Sequence, residues 1–220
     1  MSGRSAGGAA ATRAAEGSVG GGGGAGAAAA QAMPTRERLI AAARGVVEEV
    51  GYGGASVLVI AERAGVASGT LYRHFPSKAE LFAGVFRDVC GHELDVARAA
   101  AAAHDGDPLA QVDAIIASFA DRALVNPTLA WSLIAEPVDP AVEAVRLEFR
   151  AAYRTTLAGL LREGIGIGAV PAQDAELTAA ALVGAANEIL AGPLAPAHDD
   201  HRNAAETTAA LRTLWRRMLG

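Results

Sequence analysis

Residues 56–78, SVLVIAERAGVASGTLYRHFPSK, decide how this 220-residue chain folds. Ala61, Gly65 and Leu71 stand four and ten positions apart, the spacing of two short helices joined by a tight turn. Helices that cross steeply approach closely only where the crossing residue is small, as Ala61 is. The turn needs one residue at positive φ, which Gly65 tolerates because it has no Cβ. The second helix must turn an apolar face back onto the first, and Leu71 and Phe75, four apart, share one face. Ser68, Gly69, Thr70, Tyr72 and Arg73 then face outward, with His74 at the edge. These are the small, hydroxylic, aromatic and cationic side chains that reach phosphates and base edges.

The flanks continue the pattern. Thr35 is expected to cap a helix in which Leu39, Ile40, Ala43, Val46, Val47 and Val50 recur at helical spacing, and Gly51, Gly53 and Gly54 stop it. Ser56 caps the next helix. Pro76 ends the second helix of the hairpin, and Ser77-Lys78-Ala79-Glu80 reads as a capping box opening another. Lys78 is the only lysine of the chain. In the first turn of a helix it opposes the macrodipole, a cost of about 0.3–1 kcal/mol that a nearby phosphate would offset.

Ala61-Glu62-Arg63-Ala64-Gly65-Val66 followed by Gly69-Thr70-Leu71-Tyr72-Arg73-His74-Phe75-Pro76-Ser77-Lys78 resembles the DNA-binding signature of TetR/AcrR-type transcriptional regulators. With the preceding helix the likeness runs over roughly residues 34–82. It implies a three-helix helix-turn-helix DNA-binding domain over 34–80 and a larger helical domain over 81–220 that binds an effector and forms a homodimer. Thr70, Tyr72, Arg73 and His74 would contact DNA together with Ser68. Gly69 would let the backbone come close, and Ser56 and Lys78 would lie on phosphates. Two positions depart from the family pattern. Val59 stands where an acidic residue is frequent, so the helix after Ser56 lacks a capping-box partner. Ala67 stands where a capping serine is usual, so Ser68 is expected to take over the cap one residue later, which would withdraw it from direct readout.

Composition sets the outer limits. Hydrophobic residues make up 51% of the chain but aromatics only 5%, so the core must be built from Ala, Leu and Val, which suits closely packed helices. No unbroken run of about eighteen apolar residues occurs, so no membrane span is expected, and the N-terminus lacks the pattern of a secretory signal. A single cysteine, Cys90, excludes an intrachain disulfide and a cysteine-based zinc site. A cytoplasmic protein is expected. The net charge of −5 is segregated: residues 1–90 carry nine Arg/Lys against seven Asp/Glu, residues 91–220 ten against seventeen. The acidic excess is thus kept away from the DNA-reading hairpin. Residues 1–33 are Gly/Ala-rich and cannot bury enough apolar surface to order, so a disordered arm is expected. Its Arg4 and Arg13 would either brush DNA or lie in solvent.

Beyond Leu81 the pattern stays helical: about 78–103, 109–125, a short helix holding Trp131 and Leu133, 140 to about 163 with Asp139 as cap, 174 to about 190, and 203–219. The fold class is all-α. Gly164-Ile165-Gly166-Ile167-Gly168 mimics a dinucleotide loop but follows a helix rather than a strand, so it reads as a helix terminator. His198 and His201 around Asp199-Asp200 read as a solvated loop rather than a metal site, and no cofactor or catalytic set is suggested. Phe86, Phe119, Trp131, Phe149 and Tyr153 either line an effector pocket for an apolar or aromatic ligand or form plain core. Leu182, Val183 and Ala186, and the stripe Leu211, Leu214, Trp215 and Met218, pack either within one chain or across a dimer; the resemblance implies the dimer. The function expected is a ligand-responsive regulator, most simply a repressor on a pseudo-palindromic double-stranded DNA operator, released by a small effector. The alternatives are a helical small-molecule-binding protein that has lost operator binding, and an enzyme using the same pocket.

Overall fold

Every break foreseen in the sequence separates two helices in the computed structural model, which describes residues 33–195 and 204–220. Among these residues the regular structure is nine helices and no strand: α1 Thr35–Gly54, α2 Val57–Arg63, α3 Ser68–His74, α4 Lys78–Ala102, α5 Pro108–Val125, α6 Pro127–Ile134, α7 Pro140–Gly166, α8 Ala175–Leu194 and α9 Ala204–Leu219. The N-terminal arm with Arg4 and Arg13, and the segment with His198 and His201, lie outside the described residues.

The helix ends follow from local chemistry. Gly51 takes φ 72° and breaks α1 where its glycines were expected to stop it. Ser77 Oγ accepts the Glu80 N–H at 3.1 Å, which opens α4. Asp107 and Asn126 accept the Ala110 and Leu129 N–H groups and start α5 and α6, each with proline in the first turn. Asp174 accepts from Glu176 and Leu177 to start α8. Asp139 holds the cap position of α7 but makes no cap hydrogen bond; its carboxylate takes the Tyr52 hydroxyl instead. The glycine run after α7 terminates that helix as expected: Gly168 sits at φ 76°, and Ala169 and Val170 donate back to the Gly164 carbonyl.

Two apolar clusters form. The first joins α1, α2 and α3 to the first half of α4, through residues such as Leu39, Val47, Ile60, Leu71, Phe75, Phe82 and Phe86. The second joins the rest of α4 to α5–α9 through Ile115, Ile116, Leu157, Leu161, Leu182, Leu190, Leu211 and Trp215. The first also takes in Leu129 of α6 and Val142 and Val145 of α7, so α4, α6 and α7 belong to both. α8 has a mean hydropathy of 1.4 over a span long enough to cross a membrane, which a search for unbroken apolar runs misses. It carries Glu176, Asn187 and Glu188 and buries Ala179, Leu182, Ala186 and Leu190 along one face, as a core helix does.

Candidate DNA-reading face and internal cavity

The hairpin closes on the small residues that its spacing singled out. Ala61 and Leu71 are buried at the crossing of α2 and α3, Phe75 seals the far end, and Gly65 turns the chain at φ 65° while Val66 N–H reaches the Ala61 carbonyl at 3.0 Å. The other side of α3 is left to solvent. Tyr72 is 51% exposed, Arg73 and His74 are exposed, and Arg73 Nη2 donates to Thr70 Oγ1 at 3.0 Å, which lays the guanidinium along this face. A Cβ added at Gly69 would meet nothing within 4 Å, so no packing inside the chain requires glycine there. Ala67, not Ser68, is the cap residue of α3; Ser68 is the first helical residue, and its transfer to the cap does not occur. Ser56 caps α2 through backbone conformation alone, leaving its exposed hydroxyl free of any cap bond. Lys78 turns inward. Its Nζ donates to the Tyr52 carbonyl at 3.2 Å and lies 4.8 Å and 5.4 Å from the ring centres of Tyr52 and Phe82. A phosphate at Lys78 would compete with these contacts.

A partly open cavity of about 120 Å³ lies between α4, α5, α6, α7, α8 and α9, walled mostly by the second cluster, with Val89 and Leu129 of the first. Phe119, Phe149 and Tyr153 line it, as expected, and Phe119 and Tyr153 meet edge-to-face at 5.5 Å. Phe86 does not: it lies on the half of α4 that packs into the first cluster. Trp131 packs against the second cluster outside the wall. Leu182, Val183, Ala186 and Trp215, foreseen for the dimer seam, stand in this wall instead, and Leu211 is buried beside it. The stripe on α9 faces the protomer's own core, because that is where its i, i+4 apolar face finds partners. Leu214 and Met218, at 36% and 37% exposure, remain accessible to a second copy.

Charges interrupt the apolar wall. Arg122 and Glu93 form a paired fork, with Nη2 to Oε1 at 2.7 Å. Arg146 donates to the carbonyls of Leu133, Ser132 and Glu136 at 3.0, 3.0 and 2.7 Å and pairs with Glu143 at 2.5 Å. Arg150 Nη2 reaches the Ile134 carbonyl at 2.8 Å. Two cations thus hold the carbonyl end of α6, where the macrodipole is negative. Burial lowers the Arg146 pKa, and burial pushes the Cys90 thiol in the wall up to about 12. The Tyr153 hydroxyl is pushed up too, first by burial and then by Cys90 and Glu93, so it stays protonated at neutral pH.

The far side of α6 grips the end of α1. The Glu136 carboxylate accepts Tyr52 N–H at 2.9 Å and Gly53 N–H at 2.8 Å, while the buried Ser132 hydroxyl accepts Tyr52 N–H at 3.1 Å and donates to Glu136. Tyr52 gives its hydroxyl to Asp139 and packs its ring edge-to-face on Phe82 at 4.9 Å. The cavity wall and the base of the hairpin are therefore joined through one eight-residue helix.

Residues 39–85 match the family model of bacterial regulatory proteins, tetR family. The chain carries a tetR-family regulator domain. The HTH-type transcriptional regulator CymR of Pseudomonas putida is 45% identical over 56 residues, which are 26% of this chain and 28% of that protein. The match to such relatives thus spans under a third of their length. The fold carries the likeness further. The fatty acid degradation regulator FadR of Bacillus halodurans superposes at TM-score 0.71 with 24% identity, covering 86% of this chain and 96% of that one. The transcriptional regulator FadR of Bacillus subtilis, in complex with stearoyl-CoA, does so at 0.70 with 22% identity, covering 81% and 96%.

Outside the tetR-family domain, sequence reasoning missed the arginines of the wall. The signal was present: Arg146 and Arg150 sit on α7 among Val142, Val145, Phe149, Tyr153 and Leu157, a cation pair on the apolar face of an amphipathic helix. It also missed Ser132 and Glu136, whose partner Tyr52 lies 80 and 84 residues away in sequence.

Proposed function

We propose that the chain is a ligand-responsive transcriptional regulator, a repressor that binds a pseudo-palindromic operator as a homodimer in the cytoplasm and is released by a small apolar effector. The observation that carries this reading is the outer face of α3. Glycine is a poor helix former, Gly69 is the second residue of α3, and nothing among the described residues calls for glycine there. Close approach by an external surface does call for it, and Thr70, Tyr72, Arg73 and His74 surround it. A dimer supplies two such faces for half-sites about 34 Å apart or a multiple of that. Its seam would use the outward stripe of Leu177, Ala181 and Gly184 on α8 with Leu214 and Met218 on α9. Leu177 is 69% exposed, and an added Cβ at Gly184 meets nothing within 4 Å.

The apolar cavity is the effector site in this reading. A ligand can shift the dimer between two spacings of α3 only by as much as its affinities for the two forms differ. The route is short: wall arginines on α6 carbonyls, then Ser132 and Glu136 on the backbone of Tyr52 and Gly53. Selection of bound duplexes from random DNA at moderate salt tests the regulator. An inverted repeat, lost on Tyr72→Ala with the fold intact by circular dichroism, is the expected result. Recovery of no sequence by a folded dimer would favour a small-molecule-binding protein without operator binding.

A further inference from the structure

We propose that the cavity binds an organic acid, its carboxylate received by Arg150 and Tyr153 and its apolar body lying against Ile115, Phe119, Phe149 and Leu182. The inference deepens the effector reading and rests on this cavity being the effector site. Four buried side-chain polar atoms lack a hydrogen-bond partner among the described residues: Arg150 Nε, Tyr153 Oη, Trp215 Nε1 and Thr207 Oγ1. The first three belong to residues of the cavity wall. A guanidinium and an indole N–H only donate, and a protonated phenol can donate, so what the wall lacks is an acceptor.

The charge balance says which acceptor. The wall carries Arg122, Arg146 and Arg150 against a single acid, Glu93. Glu93 is taken by Arg122, and Arg146 has Glu143. Arg150 has no carboxylate within ion-pair distance among the described residues; its one protein partner is a carbonyl. Arg150 is partly buried and its Nε is buried outright, and there a water or a hydroxyl can accept its hydrogen bond but cannot neutralise the charge. A carboxylate does both, and it suits the planar donor edge of arginine. Arg150 and Tyr153 are three apart on α7, so their side chains emerge on the same face. An amine would add to the positive surplus and is disfavoured.

The test uses the full-length protein and two matched probe sets: decanoic acid, decanol and decylamine, and 4-phenylbutanoic acid, 4-phenylbutanol and 4-phenylbutylamine. Calorimetry measures affinity, and the fluorescence of Trp215 in the wall, read in a Trp131→Phe background, reports occupancy. Each acid should bind at least about tenfold tighter than its alcohol, with the amine weakest. Arg150→Gln should bring acid down to the affinity of alcohol while the alcohol changes little. Because Arg150 also holds the Ile134 carbonyl, Arg150→Lys is measured beside it and should keep part of the preference through charge alone. Tyr153→Phe should weaken acids several-fold more than alcohols. Equal binding of acid and alcohol, preference for the amine, or an unchanged ratio in folded Arg150→Gln would overturn the proposal. So would tighter binding of decanoyl-CoA than of decanoate, or failure of the folded protein to bind either acid. Acid binding that leaves operator affinity unaltered would uphold the ligand class while removing the effector reading.

Discussion

The two apolar clusters of this chain solve opposite problems. The first buries Leu71, Phe75, Ile60 and Phe82 and leaves Tyr72, Arg73 and His74 of α3 exposed. The second leaves a cavity, and Arg150, Tyr153 and Trp215 in its wall each carry a buried polar atom without a partner among the described residues. An unmade buried hydrogen bond costs about 1–3 kcal/mol, and cavities cost packing energy as well. A fold tolerates such losses where a ligand restores them. In the proposed reading the hairpin keeps its shape while the cavity behind it changes occupancy.

The largest test of the contrast is truncation in each cluster. Leu71→Ala should destabilise the protein by about 2–5 kcal/mol in urea unfolding, because no neighbour can close over the void. Leu157→Ala, in a wall of the second cluster that already faces empty space, should cost less than half as much. Comparable losses would mean that the cavity is filled by its own wall in solution.

The joint between the regions gives the next effect. Glu136→Ala removes the acceptor of two backbone N–H groups and of the Ser132 hydroxyl. A loss of about 1–3 kcal/mol is expected in the same unfolding assay. In addition, operator affinity should become less responsive to effector, because the link from α6 to α1 is cut. A variant destabilised but fully responsive would move the coupling elsewhere, to α4 or α7, which also belong to both clusters.

Glycines distinguish shape from approach. Gly65→Ala should cost about 1–2 kcal/mol from left-handed strain alone, since its Cβ would meet no neighbour. Gly69→Ala, in the first turn of α3, should stabilise by no more than about 0.5 kcal/mol, yet weaken operator binding if DNA approaches there. Opposite signs in stability and binding are the mark of a functional glycine; equal operator affinity would remove Gly69 from the contact surface.

What was legible in the sequence follows the same division. The hairpin could be read because its constraints are local: Ala61, Gly65, Leu71 and Phe75 lie within fifteen residues, and each is the residue type its backbone position demands. Helix ends were legible for the same reason, as at Ser77, Asp107, Asn126 and Asp174. The cavity was only half legible. Apolar stripes on α8 and α9 declare that a face is buried, but not against what, so Leu182, Leu211 and Trp215 suited a partner chain as well as the protomer's own core. Phe86 failed for a related reason: one long helix serves two clusters, and one turn separates its hairpin face from the cavity residue Cys90. The Lys78 contact with Tyr52 joins residues 26 apart, and no local pattern announces it.

The smallest effect expected is at the Tyr52 hydroxyl, where the hairpin base meets the Asp139 cap of α7. Burial, and after it the Asp139 carboxylate that accepts its proton, push the Tyr52 pKa up to about 12. An unfolded tyrosine titrates near 10. The raised value means that folding favours the protonated phenol, so the stabilisation is fully present below about pH 10 and is lost as pH rises through 12. Tyr52→Phe has no hydroxyl to ionise. It should be less stable than the wild type by about 1 kcal/mol from pH 6 to 9, and that gap should close between pH 10 and 12. Comparing the two proteins cancels every other group that titrates in that range, Tyr153 included. A gap that stays constant up to pH 12 would show that the hydroxyl does not hold Asp139 in solution, leaving the Glu136 carboxylate as the anchor of α1 to the cavity domain.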